Sequence, residues 1–241
     1  MKRKIVSCFV ALLMVVGLIT ASSYASAETW EQYLQNRWDE CETKFSSLDK
    51  TTGLNKWGGG SVQPAEGDGT TDNPYKVYTA DEFRYAMENK KSLILMKDID
   101  LNRQPWAPIT VSASENMTFD GKGHTIYNLY VTGAGSTSAT GAGVGLFAYV
   151  DNPNFHMNNI KFRFAEVRTT IPNNTNYYNY AVAIAYLKRG HLDNVGIEDS
   201  LVYGNRFAAG LLTGWDSGYN AVDTSGNRTN TEGTTINHCH T

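Results

Sequence analysis

A short motif of apolar and polar positions recurs along the second half of the chain. Its pattern is apolar, any residue, Asn, apolar, any residue, apolar, and it occupies residues 126–131, 157–162 and 192–197. A fourth copy at residues 236–241 keeps the spacing with His238 in the Asn position. The copies begin 31, 35 and 44 residues apart, a self-similarity that is typical of repeat architectures.

A second apolar segment lies between successive copies, at residues 145–148, 182–185 and 210–213. Each interval therefore holds at least two short strands, and its extra length falls in the polar tracts 169–180 and 216–233. Insertions confined to loops are tolerated where each coil only has to match its neighbours. Because no helical pattern separates the strands, the sequence predicts an all-β fold, a right-handed parallel β-helix (solenoid) over residues 74–241.

Equivalent residues of successive coils lie on top of each other in a solenoid. We therefore expect Asn128, Asn159 and Asn194 to form a hydrogen-bonded ladder at a turn. The residues after them would form an inward apolar stack, made up of Leu129, Ile160, Val195 and Cys239. A core position for Cys239 favours a buried thiol over a disulfide with Cys41. The alternative fold, an antiparallel β-sandwich, gives no reason for the recurring Asn.

The region before the repeats divides into three parts. Residues 1–27 have a basic start, an apolar run and a small-residue cleavage site, the pattern of a signal peptide. Residues 28–50 predict an amphipathic helix, either docked on the following domain or binding a partner. Its apolar face consists of Trp30, Leu34, Trp38, Cys41, Phe45 and Leu48. Residues 51–73 are rich in Gly and Thr and predict a linker.

The solenoid domain opens with a helix and a strand. Thr79 and Glu82 have the spacing of a capping box, which predicts a helix of about two turns that ends near Asn89. The apolar run at residues 92–96 predicts a buried strand directly after it.

Composition and charge narrow the functional classes. With 41% hydrophobic and 19% charged residues, the chain can bury a core but is too polar for a multispanning membrane protein. Its net charge is −3, and residues 28–241 alone carry 18 basic and 24 acidic groups. This acidic balance argues against a nucleic-acid partner. After signal cleavage no membrane span is predicted, so we expect a secreted or cell-surface protein.

Several segments of the chain follow one another in a characteristic order. They are residues 98–101, 106–109, 119–126 and 128–129, followed by Gly-Leu segments at 145–148 and 210–214. In these segments the chain resembles the bacterial secreted and cell-surface β-helix proteins that carry GLUG repeats. It extends over about residues 67–241. It implies an exported, pectin-lyase-like β-helix of the kind found in adhesins, with no common catalytic motif.

The last predicted coil has an open strand edge. Such an edge can pair with another chain. We therefore expect either that the solenoid continues in a longer surface protein or that an end-to-end partner covers this coil.

Three aspartates are the candidate catalytic residues if the protein is an enzyme. Asp98 and Asp100 are two apart on a predicted strand and share a face, and Asp120 follows one coil later. Paired carboxylates can bind calcium or cleave glycosidic bonds. In the family resemblance these aspartates belong to the structural signature, so no cofactor is expected, with calcium as the alternative.

A tyrosine-rich tract is the candidate ligand-binding site. Exposed rings of Tyr177, Tyr178 and Tyr180 could stack on sugars, beside Asn side chains that bind hydroxyls. The alternative is that Tyr178 and Tyr180 enter the core as a strand begins.

The histidines give weaker signals. His238 and His240 flank Cys239, but alternate strand residues face opposite sides, so the three are not expected to hold one metal ion. A stacked column of His124, His156 and His191 is contradicted by their unequal spacing to the repeated Asn, and we interpret them as turn residues.

The sequence therefore predicts a non-catalytic exported protein with an adhesive or structural role, which binds glycans or surface proteins through its loops. The alternative function is a polysaccharide lyase or glycoside hydrolase on the same fold. Phosphate-binding loops, nucleophile elbows and paired Cys-x-x-Cys motifs are absent from the sequence.

Overall fold

The computed structural model describes part of the chain in detail. The described residues are 29, 32–33, 35–37, 39–40, 43–44, 47, 53–133, 143–169, 179–203, 208–210, 212–216, 221–222, 228–229 and 234–241. The chain divides into two units, Met1–Glu40 and Cys41–Thr241. The predicted signal peptide of residues 1–27 lies outside the described residues.

The first unit is helical where it is described. Residues 32–33, 35–37 and 39–40 are in helical conformation, as the sequence predicts. Gln35 Nε2 donates a hydrogen bond to Asp39 Oδ1 over 2.7 Å, a pairing that the helical repeat permits. The residues of the predicted apolar face lie outside the described residues, in this unit and in the next.

The second unit is mostly β-structure. Helix α1 spans Ala80–Glu88. Its N-cap Thr79 and its third residue Glu82 form the predicted capping box. Seventeen strands have described bounds: β1 (Tyr75–Val77), β2 (Leu93–Leu95), β3 (Ile99–Asp100), β4 (Ile109–Val111), β5 (Thr118–Asp120), β6 (Thr125–Tyr127), β7 (Tyr130–Gly133), β8 (Phe147–Arg163), β9 (Glu166–Thr169), β10 (Asn179–Ala181), β11 (Ile184–Glu198), β12 (Leu201–Tyr203), β13 (Ala208–Gly210), β14 (Thr213–Asp216), β15 (Ala221–Val222), β16 (Arg228–Thr229) and β17 (Thr234–Asn237).

Parallel pairing dominates these strands. The largest sheet contains ten strands, and its central members β8 and β11 pair in parallel along most of their length. The strands β4, β5 and β6 pair one after another along β8, while β14 and β17 pair along β11. Of the described pairs, β15 with β16 is the antiparallel one. The alternative of an antiparallel β-sandwich is therefore wrong.

Two smaller parallel sheets complete this arrangement. β7, β9 and β12 form one of them, and β10 and β13 form the other. The strands β7, β9 and β12 follow β6, β8 and β11 along the chain, and β10 and β13 come directly after β9 and β12, so equivalent segments pair again after each corner.

The register of the large sheet places apolar side chains in a buried row. Phe119, Met157 and Leu192 occupy equivalent positions on β5, β8 and β11, and all three are fully buried. Ile236 of β17 is level with Leu192 but is 40% exposed, so the buried row ends at β11. Because side chains alternate along a strand, the residues on either side of this row face outward. The buried row thus decides which polar residues reach the surface.

The predicted Asn ladder is confirmed for two of its three members. Asn194 Nδ2 donates a hydrogen bond to Asn159 Oδ1 over 3.0 Å, and Asn159 Nδ2 donates to Asp120 Oδ1 over 3.3 Å. Both asparagines have a positive φ, 53° and 54°, and His238 has a φ of 51° at the next equivalent position. Asn adopts this left-handed conformation more readily than most residues, which explains its recurrence at the corner.

Asn128 belongs to a different corner, which corrects the alignment of the first repeat copy. Ile126 pairs with Phe162 rather than with Met157, so Asn128 is level with Phe164. Its side chain donates a hydrogen bond to Asp100 Oδ1 over 2.8 Å. Both corners need a left-handed residue between inward apolar residues, so the same sequence pattern occurs at each. The pattern alone does not distinguish them.

The predicted apolar stack also loses its member from the first motif copy. Val195 pairs with Ile160, and Cys239 packs against the core beside them, as expected. Leu129 follows Asn128 into the other corner and is not part of this stack. Cys239 is a free thiol, but it is only partly buried rather than fully buried as predicted, and this burial raises its pKa.

Aromatic side chains close the end of the core near α1. Phe83 of α1 packs on Trp106 with ring centroids 5.5 Å apart and on Phe119 at 5.7 Å. Trp57 contacts Trp106 at 5.8 Å, so part of the predicted linker is packed on the domain. Within the described ranges, no helix has the length and apolar character needed to cross a membrane.

Gly121 directly follows β5 and is level with Asn159, the corner asparagine of β8. We predict that any side chain at this position destabilises the protein. A Cβ atom there would lie 2.5 Å from the Asn159 carbonyl oxygen and 2.6 Å from Ile160 Cβ. We expect Gly121→Ala to lower the free energy of unfolding by about 1–3 kcal/mol, measured by urea denaturation. Gly58→Ala is the matched control, since no atom lies within 4 Å of its added Cβ. An equal loss in both variants would contradict this packing.

Candidate functional site

The three candidate aspartates act as hydrogen-bond acceptors at turns. Asp100 is fully buried, and its Oδ1 accepts from the Asn102 backbone and the Asn128 side chain. Asp98 Oδ1 accepts from the Thr125 backbone over 3.0 Å and lies 3.0 Å from His124 Nδ1. These contacts give Asp98 and Asp100 a structural role, because both carboxylates bind neighbouring segments of the chain.

Asp120 is separate from the other two aspartates. It pairs with Ile94 of β2, whereas Asp100 pairs with Tyr127 of β6. Its Oδ1 accepts hydrogen bonds from the Lys122 backbone and the Asn159 side chain. The structure therefore does not bring the three aspartates together as one site, and it leaves Asp120 on a different surface.

The tyrosine tract is only partly described. Tyr177 and Tyr178 lie outside the described residues. Tyr180 is fully buried on β10, as the alternative interpretation of the tract predicts. A buried ring cannot stack on a sugar, so Tyr180 is not a ligand-binding residue of the kind expected.

A groove lies on the outward face of β5, β8 and β11, and it contains Asp120, one of the three candidate catalytic aspartates. It has a volume of about 450 Å³ and is bordered by Pro74 and Ile94. Its floor carries two polar residues from each strand. We call it the polar groove and define it by Thr118, Asp120, His156, Asn158, His191 and Asp193.

Strand register builds the polar groove as two rows. Thr118, His156 and His191 are equivalent positions and form the first row. Asp120, Asn158 and Asp193 form the second row. Each row lies one residue to either side of the buried row that contains Met157, so the same alternation fills the core and the groove.

Two histidine rings stack at the centre of the first row. The ring centroids of His156 and His191 are 4.6 Å apart, with 21° between the ring planes. His191 Nε2 lies 2.9 Å from the Pro153 carbonyl oxygen, which can only accept, so this nitrogen carries a proton. His191 Nδ1 lies 2.7 Å from the Thr235 hydroxyl, which can donate to it. These two contacts hold the His191 ring in place.

The environment keeps His156 in its neutral form. Partial burial, together with the nearby His191, lowers the pKa of His156 below its ordinary value. The ring is still partly exposed in the polar groove. At neutral pH His156 therefore offers a nitrogen lone pair that can accept a hydrogen bond or a proton.

Carboxylates supply the charge of the second row. Asp193 Oδ1 lies 2.8 Å from His238 Nδ1, and more than half of the Asp193 side chain is exposed. Asp120 and Asp193 flank Asn158 and are two strand spacings apart, each about 4.8 Å. Over the described part of the chain, no three His, Cys, Asp or Glu side chains are grouped as a metal site.

The histidines were the signal that the sequence analysis set aside. His156 and His191 each lie three residues before a corner asparagine, Asn159 or Asn194, and this equal spacing does put them in register. His124 did not fit the predicted column because the first motif copy, which it precedes, lies at a different corner. It contacts Asp98 instead, and Thr118 occupies the equivalent position.

The residues around Cys239 alternate as expected for a strand. Cys239 packs against the core, whereas His238 and His240 are largely exposed. His238 contacts Asp193, and His240 Nε2 lies 3.9 Å from Glu198 Oε1. The two histidines thus contact different carboxylates.

Comparisons with known proteins add no relative. No protein-family model, no curated protein and no solved structure matches this chain.

We predict that the pKa of His156 depends on its stacked neighbour His191. His156 should titrate below the ordinary value of 6.5, and His191→Gln should raise its pKa, because the nearby positive charge that opposes protonation is removed. The pH dependence of the His156 Hε1 chemical shift measures both effects. His124→Gln, which alters a histidine outside this pair, should leave the shift curve unchanged. An unaltered His156 pKa in His191→Gln would contradict the coupling.

Proposed function

We propose that this chain is an exported bacterial surface protein with a right-handed parallel β-helix, similar to GLUG-repeat proteins, and that it binds glycans in the polar groove. The observation that carries the proposal is the pair of outward polar rows, in register across β5, β8 and β11, that line one groove. The proposal therefore assigns binding to the sheet face instead of to the tyrosine tract.

The strand pairing supports the solenoid. Short strands that follow one another in sequence pair in parallel with successive parts of one longer strand, which is how stacked coils pair. Left-handed residues recur at equivalent corners, and buried apolar rows run through equivalent strands. Successive strands along the chain pair with the equivalent strands of the preceding segment, as expected when each coil is one supersecondary unit.

The amino-acid pattern of the first 27 residues supports export. Lys2, Arg3 and Lys4 precede an apolar run, and Ala25-Ser26-Ala27 is a site at which a signal peptidase would cut. A surface location places the polar groove in contact with extracellular polymers.

The chemistry of the polar groove supports a polyhydroxylated ligand. Asp120, Asp193 and His156 supply hydrogen-bond acceptors, while Thr118 and Asn158 also supply donors. Sugar hydroxyls both donate and accept, so they can satisfy such a mixed surface. Because the rows cross several parallel strands, the groove offers equivalent contacts at regular intervals, which suits a repeating chain.

A second candidate function is cleavage of a polysaccharide on the same face. It is favoured by the neutral His156, a general base at pH 7, between strands that carry Asp120 and Asp193. Carboxylates about two strand spacings apart leave room for a water molecule, as in inverting glycosidases. Asp98 and Asp100, the earlier catalytic candidates, have no part in this arrangement.

The test is to expose purified residues 28–241, with calcium, to plant, mucin and microbial polysaccharides and to follow retention and chain cleavage together. We expect retention without cleavage, weakened about thirtyfold in a His156→Ala, Asn158→Ala double variant, since each of the two lost hydrogen bonds contributes roughly 1 kcal/mol. Glu88→Gln, an exposed substitution on α1 outside the polar groove, is the control.

The other outcomes separate the alternatives. Cleavage that is lost on Asp120→Asn or Asp193→Asn would establish the enzyme instead. Retention that depends on Tyr177 and Tyr178, and not on the polar groove, would return binding to the tyrosine tract. Failure to retain any polysaccharide would overturn the proposed glycan binding and leave surface proteins as the partner class to test.

A further inference from the structure

The charges facing the polar groove have one sign at neutral pH. The ionised groups among its defining residues are Asp120 and Asp193. Neither Lys nor Arg is among the described residues that line it. Lys122 follows Asp120 closely in sequence, but its exposed side chain is not part of the lining.

Cations on the neighbouring strand segments are engaged elsewhere. Lys188 and Arg189 both contact Asp151. Lys161 contacts Glu198 over 2.6 Å, and Arg163 contacts Asp199 over 2.7 Å. All four cations are thus paired with other carboxylates and do not serve as counter-ions of Asp120 or Asp193.

His156 does not supply a compensating charge at neutral pH, because partial burial and the nearby His191 lower its pKa. Two imidazolium rings 4.6 Å apart would repel each other, so the stack disfavours double protonation. Both nitrogens of His191 are engaged, with the Pro153 carbonyl oxygen and the Thr235 hydroxyl. His238 lies against Asp193 but is 81% exposed, and its contact is with the Oδ1 atom.

From these observations we infer that the polar groove selects uncharged glycans and excludes polyuronates at neutral pH. The inference rests on the proposed function and adds the chemical class of its ligand. A sugar hydroxyl can donate to Asp120, Asn158 or Asp193. A uronate carboxylate cannot donate, and it is repelled by both aspartates.

The test uses pairs of sugars that differ only at C6. Cellohexaose, mannohexaose and galactohexaose are the neutral probes, and the hexamers of glucuronate, mannuronate and galacturonate are their oxidised counterparts. Dissociation constants of the mature chain at pH 7.5 and low salt are measured by calorimetry. We expect the neutral member of each bound pair to bind at least tenfold more tightly than the uronate, with the difference shrinking as salt screens the repulsion.

Substitution of the carboxylates tests the cause. Asp193→Asn keeps an acceptor oxygen but removes the charge, so the ratio of uronate affinity to neutral affinity should rise several-fold. Asp120→Asn should act in the same direction, and it still offers Oδ1 to the Asn159 side chain. Glu88→Gln removes one carboxylate outside the polar groove and should leave the selectivity unchanged.

Each outcome has a definite meaning. A uronate that binds as tightly as its neutral partner would overturn the inference and leave the glycan-binding groove standing. Unchanged selectivity in both Asp variants would overturn the electrostatic cause, and so the inference. Failure of all six hexamers to bind would overturn the proposed function together with the inference.

Discussion

The parallel register of the buried apolar row is the constraint on which the rest of the molecule depends. Phe119, Met157 and Leu192 stack because each needs to leave water, and the strands that carry them are thereby held in one alignment. A shift of one residue would expose the whole row and bury its polar neighbours. Core packing and the outward surface are therefore consequences of a single register.

The corners impose a second constraint of a different kind. Within β8 and β11 the backbone adopts a left-handed conformation at Asn159 and Asn194, and the two side-chain amides hydrogen-bond to each other. At the equivalent position after β5, Gly121 lies so close to Asn159 that no side chain fits. Conformation and space thus select Asn in two places and Gly in the third.

The same register also forms the polar groove, because it aligns the outward polar side chains. A few of these side chains determine the chemistry of the groove. Stacking brings His156 onto His191, and burial with like-charge proximity keeps His156 neutral. The flanking carboxylates, Asp120 and Asp193, then dominate the electrostatics. A face of this kind suits ligands that donate hydrogen bonds and carry no negative charge.

The sequence by itself determined the local features: the capping box at Thr79, the inward Cys239, the corner asparagines and the β-rich character. These depend on short-range pattern, which a sequence displays directly. Only the tertiary structure decided which corner each motif copy occupies, because Asn128 and Asn159 share one local pattern at two corners. The groove followed from that decision, since residues 35 or more positions apart become neighbours only through strand register.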